Sequence, residues 1–105
     1  VYEPNQIKGT LEYGGLVRPV LSVADGAEIS CGTLLLKPGE VMKDFEKHSS
    51  DEIFFIILGE LKVEDKEGNS VSAKAGQIVY LPNGEWHLSS NPGKTDTVLF
   101  WVNRD

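Results

Sequence analysis

Short runs in which apolar and polar residues alternate, interrupted by glycine and proline, make up most of this chain. In "ELKVED" (60–65) Leu61 and Val63 alternate with charged neighbours, the period-two pattern of a strand with one buried face. "SVSAKA" (70–75) follows after the turn signal Glu67-Gly68-Asn69, so residues 60–75 read as a β-hairpin. Further strands are predicted over 16–23, 28–37, 51–58, 77–82, 87–91 and 96–103, separated by "DGA", "KPGE", "PNGE" and "NPGK". "DEIFFIIL" (51–58) is apolar on both faces, which predicts a central strand covered by core on either side. No long stretch carries the helical apolar period, and strands recurring about every ten residues point to an all-β sandwich or barrel without long helices.

Composition narrows the function classes. The chain has 105 residues, the size of a single domain, and a formal charge of -6 with no run of lysine or arginine. Nucleic acid and anionic membrane are therefore disfavoured as partners, because both require clustered cations. The one cysteine, Cys31, reads as a small buried hydrophobe, and no apolar stretch is long enough for a membrane helix. The first residues, "VYEPNQIKG", lack the apolar region of a signal peptide, so the cytoplasm is the expected compartment.

The chemistry concentrates around the two histidines. His48 lies among Glu46, Asp51 and Glu52, and His87 follows a Pro-Asn-Gly turn and Trp86. The second cluster runs Gly76, five residues, Pro82, one residue, Gly84, two residues, His87, three residues, Asn91. The first runs His48, three residues, Glu52, six residues, Gly59, with the Pro-Gly of "KPGE" upstream. At these spacings the chain resembles the cupin superfamily over roughly residues 30–103. The second motif matches throughout. In the first, Glu46 stands where the family has its leading histidine, and the gap from Gly39 is one residue longer.

The resemblance implies a small jelly-roll barrel (a double-stranded β-helix) spanning 1–105. In it Glu46, His48, Glu52 and His87 would converge on a metal ion in the barrel mouth. The physical chemistry agrees: Glu46 and His48, two apart on an extended chain, share a face, and imidazole with carboxylate suits a divalent Mn, Fe, Ni or Zn ion. Two readings of Glu46 stay open: an oxygen ligand in place of the histidine, or a side chain turned to solvent. Unbound but close to the metal, it would be a candidate general base. Gly59, Gly76, Pro82 and Gly84 supply turns, and Asn91 ties one off through its side chain.

Strand parity from Glu52 puts Phe54, Ile56 and Leu58 on its face, and Met42 and Asp44 share parity with Glu46. Met42, Phe54, Tyr80 and Trp86 are candidate pocket residues. Arg18 is a candidate carboxylate-binding cation, or else one side of a surface ion pair. The resemblance implies a metal-dependent enzyme acting on a small organic molecule. With two carboxylates among the ligands, isomerase, lyase, dehydratase or decarboxylase chemistry is expected ahead of dioxygenase chemistry. The alternative is a non-catalytic cupin for homodimerisation or ligand binding. The cupin of centromere protein C, a homodimer platform that does not rely on metal, is similar around "LLLKPGE" and "IFFIILGE", and that of the ethanolamine-utilisation family, without this histidine pair, shows a "DE…GEL…AKAG" rhythm similar to residues 51–76. A homodimer is implied either way, with residues 1–20 as a candidate swapped arm.

Overall fold

The computed structural model of the protein describes residues 1–12, 14–42 and 44–105. Nine strands follow in chain order: β1 (Thr10–Glu12), β2 (Gly15–Leu21), β3 (Ser30–Leu36), β4 (Glu52–Leu58), β5 (Glu60–Glu64), β6 (Ser70–Lys74), β7 (Ile78–Leu81), β8 (Leu88–Ser90) and β9 (Thr97–Asn103). They form a six-stranded antiparallel sheet in the order β1-β2-β3-β9-β4-β7 and a three-stranded sheet in the order β6-β5-β8. The eight predicted strands match β2 to β9 within about two residues at each end. The three-residue β1 and two single-turn 3-10 helices, Pro4–Gln6 and Val23–Asp25, are additional. Among the described residues no helix is long and apolar enough to cross a membrane.

Alternation places one face of each sheet inside. Leu34 and Leu36 of β3, Leu99 of β9, Phe54 and Ile56 of β4, and Val79 and Leu81 of β7 meet Leu61 and Val63 of β5 and Ala73 of β6 in one core, joined by Met42. Leu36, Ile56, Leu61 and Leu99 are fully buried. Removing such a side chain costs both its transfer energy and the cavity left behind. At Gly59, between β4 and β5, φ is +77°, and a Cβ there would sit 2.4 Å from the Asp96 carbonyl oxygen. Two requirements, a left-handed turn and a close backbone approach, thus fix glycine at this corner. Asn91 closes another: its Nδ2 donates to the carbonyls of Leu36 and Thr95, and its Oδ1 accepts from Gly93 N–H.

Two expectations change. β4 is central within its sheet, between β9 and β7, but only its inner face meets core. Its outer face leaves Ile53, Phe55 and Ile57 exposed, alongside Ile78 and Tyr80 of β7. A continuous apolar run gives the same pattern whether the second face meets core or stands open. Leu58 also departs from the Glu52 face, because the β4–β9 register slips between Ile56 and Leu58 and the strand ends exposed.

The site depends on one irregular pairing. Isolated antiparallel bridges join Val41 to Ser90 and Glu46 to His87, next to β8 of the small sheet. Five steps in sequence from Val41 to Glu46 are set against three from Ser90 back to His87. Met42, which is buried, and Glu46 line one cavity. A second tie joins the loops, from Gly84 N–H to the His48 carbonyl at 3.2 Å and from Asn83 N–H to Asp51 Oδ1 at 2.8 Å.

Candidate metal centre

Four side chains from three parts of the chain meet at the mouth between the sheets. Glu52 opens β4 on its inner face and is 4% exposed, while His87, just before β8, is 5% exposed. His48 and Glu46 come from the loop ahead of β4. His48 Nε2 lies 3.2 Å from Glu52 Oε1 and 3.7 Å from Glu46 Oε2. His87 Nε2 lies 3.5 Å from the same Glu52 oxygen and 4.0 Å from the same Glu46 oxygen. The imidazole centroids are 5.6 Å apart, and Phe54 meets the His87 ring edge-on at 6.1 Å. Glu46, His48 and His87 each offer a ligand atom within 4.8 Å of the others.

The second layer is also polar. Asp105 Oδ2 lies 2.8 Å from His48 Nδ1, and Asp105 Oδ1 accepts a hydrogen bond from Ser49. Asn103 Nδ2 donates to Glu52 Oε2 at 2.7 Å. Each partner leaves the other functional atom, His48 Nε2 or Glu52 Oε1, turned to the shared point. Carboxylate and amide partners of this kind hold metal ligands in position.

Two buried groups of this cluster remain unsatisfied: Glu52 Oε1 and both ring nitrogens of His87. Buried polar atoms ordinarily have partners, and leaving one without is costly. A cation at the shared point would satisfy Glu52 Oε1 and His87 Nε2 together, so the donor set fits a divalent metal. Without one, the carboxylates collect a proton on His48, whose pKa is pushed up to about 11, chiefly by Glu46 and then by Glu52. Asp105 is nearer but more exposed to solvent and contributes less. Burial holds His87 below the usual imidazole range against the pull of Glu52 and Glu46, keeping it neutral and able to ligate.

A cavity of about 600 Å³ opens over this cluster. Met42, Phe54 and Trp86 line it, as do Trp101, Asn103 and Asp105, which sequence reasoning did not single out. Asn103 was legible in principle, since it shares strand parity with Leu99 and Trp101. Asp105 carried no such signal. Tyr80 does not line the cavity. It lies opposite Ile53 on the outer face of the sheet, 59% exposed, because its parity on β7 is opposite to that of buried Val79 and Leu81. Arg18 does not line the cavity either: it pairs with Thr33 of β3, next to the lining pair Val17 and Leu34, and makes no ion pair among the described residues. Its Nε is buried without a partner.

The model of the Cupin domain family matches residues 32–103. An oxalate-binding protein of Thermotoga maritima is 39% identical over 62 residues, a stretch covering 58% of this chain and half of that protein. Among solved structures, a predicted oxalate decarboxylase from Thermotoga maritima superposes with a TM-score of 0.83 at 28% identity, covering 99% of this chain and 97% of that one. The Cnp3 cupin domain of Schizosaccharomyces pombe also reaches 0.83, at 14% identity and with 99% and 72% of the two chains covered. That likeness is one of fold.

Proposed function

This chain belongs to the cupin family, and from that premise we propose that it is a metal-dependent enzyme acting on a small organic molecule. The observation that carries the reading is the pair of buried, unpartnered groups, Glu52 Oε1 and His87, aimed at the point that His48 and Glu46 also face. Glu46, His48, Glu52 and His87 would hold a divalent Mn, Fe, Ni or Zn ion, the two carboxylates balancing its charge and favouring the manganese end of that range. When bound, such an ion polarises a substrate carbonyl, carboxylate or hydroxyl oxygen, the chemistry of a Lewis-acid isomerase, lyase, dehydratase or decarboxylase.

The chain's own residues have separable tasks in this reading. Asp105 and Asn103 orient His48 and Glu52. Met42, Phe54 and Trp101 give the cavity an apolar wall that limits water around the reacting atoms. Glu46 is the least buried of the four, its side chain 29% exposed; standing beside the metal and not bound to it, it would be the residue to exchange a proton with substrate. The test is metal analysis of protein purified without a histidine tag. A near-stoichiometric transition metal that is lost in His48→Ala and His87→Ala supports the reading, and its absence from the unaltered protein overturns it.

A second observation favours a homodimer. The outer face of the large sheet presents Ile53, Phe55, Ile57, Ile78 and Tyr80, a patch of the kind that marks protein contact. A second copy packed there would cover it and leave the cavity open on the opposite face. A chain that dimerises this way but binds no metal would be a scaffold rather than an enzyme.

A further inference from the structure

A second hollow of about 330 Å³ opens beside the first. His48, Asn103, Asp105 and Trp101 line both, so the two lobes meet at the candidate centre. Their floor follows one row of the large sheet: Pro19, Gly32, Trp101 and Phe54, on β2, β3, β9 and β4. Gly32 makes room in that row, because a Cβ there would sit 2.7 Å from Trp101 Cζ2 and 2.9 Å from Pro19 Cα. The Trp101 indole thus reaches over β3 toward Pro19, through the space a side chain would fill. Trp101 and Val17 pack against the core and stay half-buried. Past Trp101 the second lobe is walled by Val17, Pro19 and Leu21, alternate residues of β2. Its serines are engaged. Ser30 Oγ accepts from Val23 N–H and donates to the Asp105 carbonyl, and Ser22 Oγ accepts from Ala24 N–H. Glu12, at the edge of the lobe, is exposed and accepts from the Thr10 hydroxyl. What continues from the centre into this lobe is therefore apolar surface.

We infer that the ligand of this site has two parts: an oxygen-bearing end held at the four-residue centre, and an apolar tail, alkyl or aryl, that crosses Trp101 and lies against Pro19 and Leu21. The inference rests on the metal-centre reading and adds to it the length and polarity of the substrate. Neighbouring strands lie about 4.8 Å apart, so the floor from Phe54, which touches the His87 ring, to Pro19 runs about 14 Å. A ligand of two or three carbons at the centre would leave most of that floor to water. An apolar tail removes it from water, with a gain that grows with the area covered. Hollows of this size ordinarily enclose most of the ligand they bind. Gly32 is a separate observation in the same direction. Glycine inside a strand weakens it and marks a close approach, and here the group that approaches is the indole forming the floor.

Three metal-chelating probes with one head group and different tails test this on the manganese-loaded protein: acetohydroxamate (no tail), 4-phenylbutanohydroxamate (apolar) and 6-hydroxyhexanohydroxamate (polar-ended). Calorimetry is expected to show the phenylbutyl probe bound at least about tenfold more tightly than either of the others. In Leu21→Asn that advantage is expected to fall close to one while acetohydroxamate binds as before. In Val71→Asn, an exposed position outside both lobes, it is expected to stay unchanged. Retained manganese and unchanged acetohydroxamate affinity show that Leu21→Asn is folded; if it is not, Pro19→Ser, at an exposed position, carries the same expectation. Equal affinity of the three probes, a polar-ended tail bound as tightly as the phenylbutyl one, or an advantage that survives the variant would each overturn the inference. Failure of the metal reading looks different: no manganese is retained and acetohydroxamate does not bind. In that event 4-phenylbutanamide against acetamide still decides, followed by the fluorescence of Trp86 and Trp101, the two tryptophans of the chain. Tighter phenylbutanamide binding that is lost in the variant supports the apolar lobe, and any other result rejects it.

Discussion

The backbones of Glu46 and His87 exchange hydrogen bonds of 2.8 and 2.9 Å, and their side chains approach to 4.0 Å at Glu46 Oε2 and His87 Nε2. The position of Glu46 is therefore set by main-chain pairing and not by its own side chain. Replacing Glu46 by glutamine should preserve the fold while weakening divalent metal binding at least about tenfold, because a charged oxygen donor becomes neutral. Glu46→His, which restores the family's nitrogen donor, should retain the metal. Metal titration of the two variants against the parent distinguishes the outcomes; unchanged affinity in both would show that Glu46 is not a ligand.

Asn103 and Asp105 are expected to act through the ligands they hold. Asn103→Leu leaves Glu52 Oε2 buried without its donor, which should cost about 1–3 kcal/mol of stability in the metal-free protein. Removal of either orienting side chain should lower metal affinity by about 10–100-fold. Denaturant titration of the metal-free form and calorimetry of metal binding read the two effects separately. Unchanged affinity in both variants would make their contacts incidental.

Proton and metal compete for His48. Its pKa is raised in the folded, metal-free protein from 6.5 to about 11, so its protonation stabilises that form fully below about 6.5, and the contribution is lost as pH rises to about 11. Metal binding must displace this proton, so apparent metal affinity should rise about tenfold per pH unit across the neutral range. The upward shift in Tm on adding metal should grow over the same interval. A shift independent of pH would mean that His48 stays outside the coordination sphere.

The core makes a simpler demand. Leu99 is fully buried, opposite Leu34 on one side and Ile56 on the other. Leu99→Ala should cost about 2–5 kcal/mol, measured by the denaturant midpoint at unchanged slope.

On the outer face, Phe55→Lys places a charge at the centre of the exposed apolar patch, between Phe100 on β9 and Ile78 on β7. If two copies pair there, the variant should run as a monomer in light scattering after size exclusion, with its metal content intact. A parent protein that is itself monomeric removes the dimer from consideration.

The strands were legible in the sequence because alternation, glycine turns and β-branched residues all gave the same answer at each element. The four candidate ligands were legible for another reason: fixed spacing around two histidines, which carries the resemblance without requiring knowledge of any contact. What was hidden depended on long-range pairing. Tyr80 and Arg18 are polar-tipped residues in apolar strands, and sequence alone does not say which face of the sheet is the inner one. Asp105 reaches His48 from 57 positions away, and Glu12 and Trp101 enter the cavity wall through the order of strands in the sheet.

The backbone pairing of Glu46 with His87 has an evolutionary corollary. It anchors the carboxylate from the far side of the mouth, so the stretch ahead of it is free to change in length. The extra residue between Gly39 and Glu46 is one such change. What the mouth admits can thus vary while the centre beneath it keeps its place.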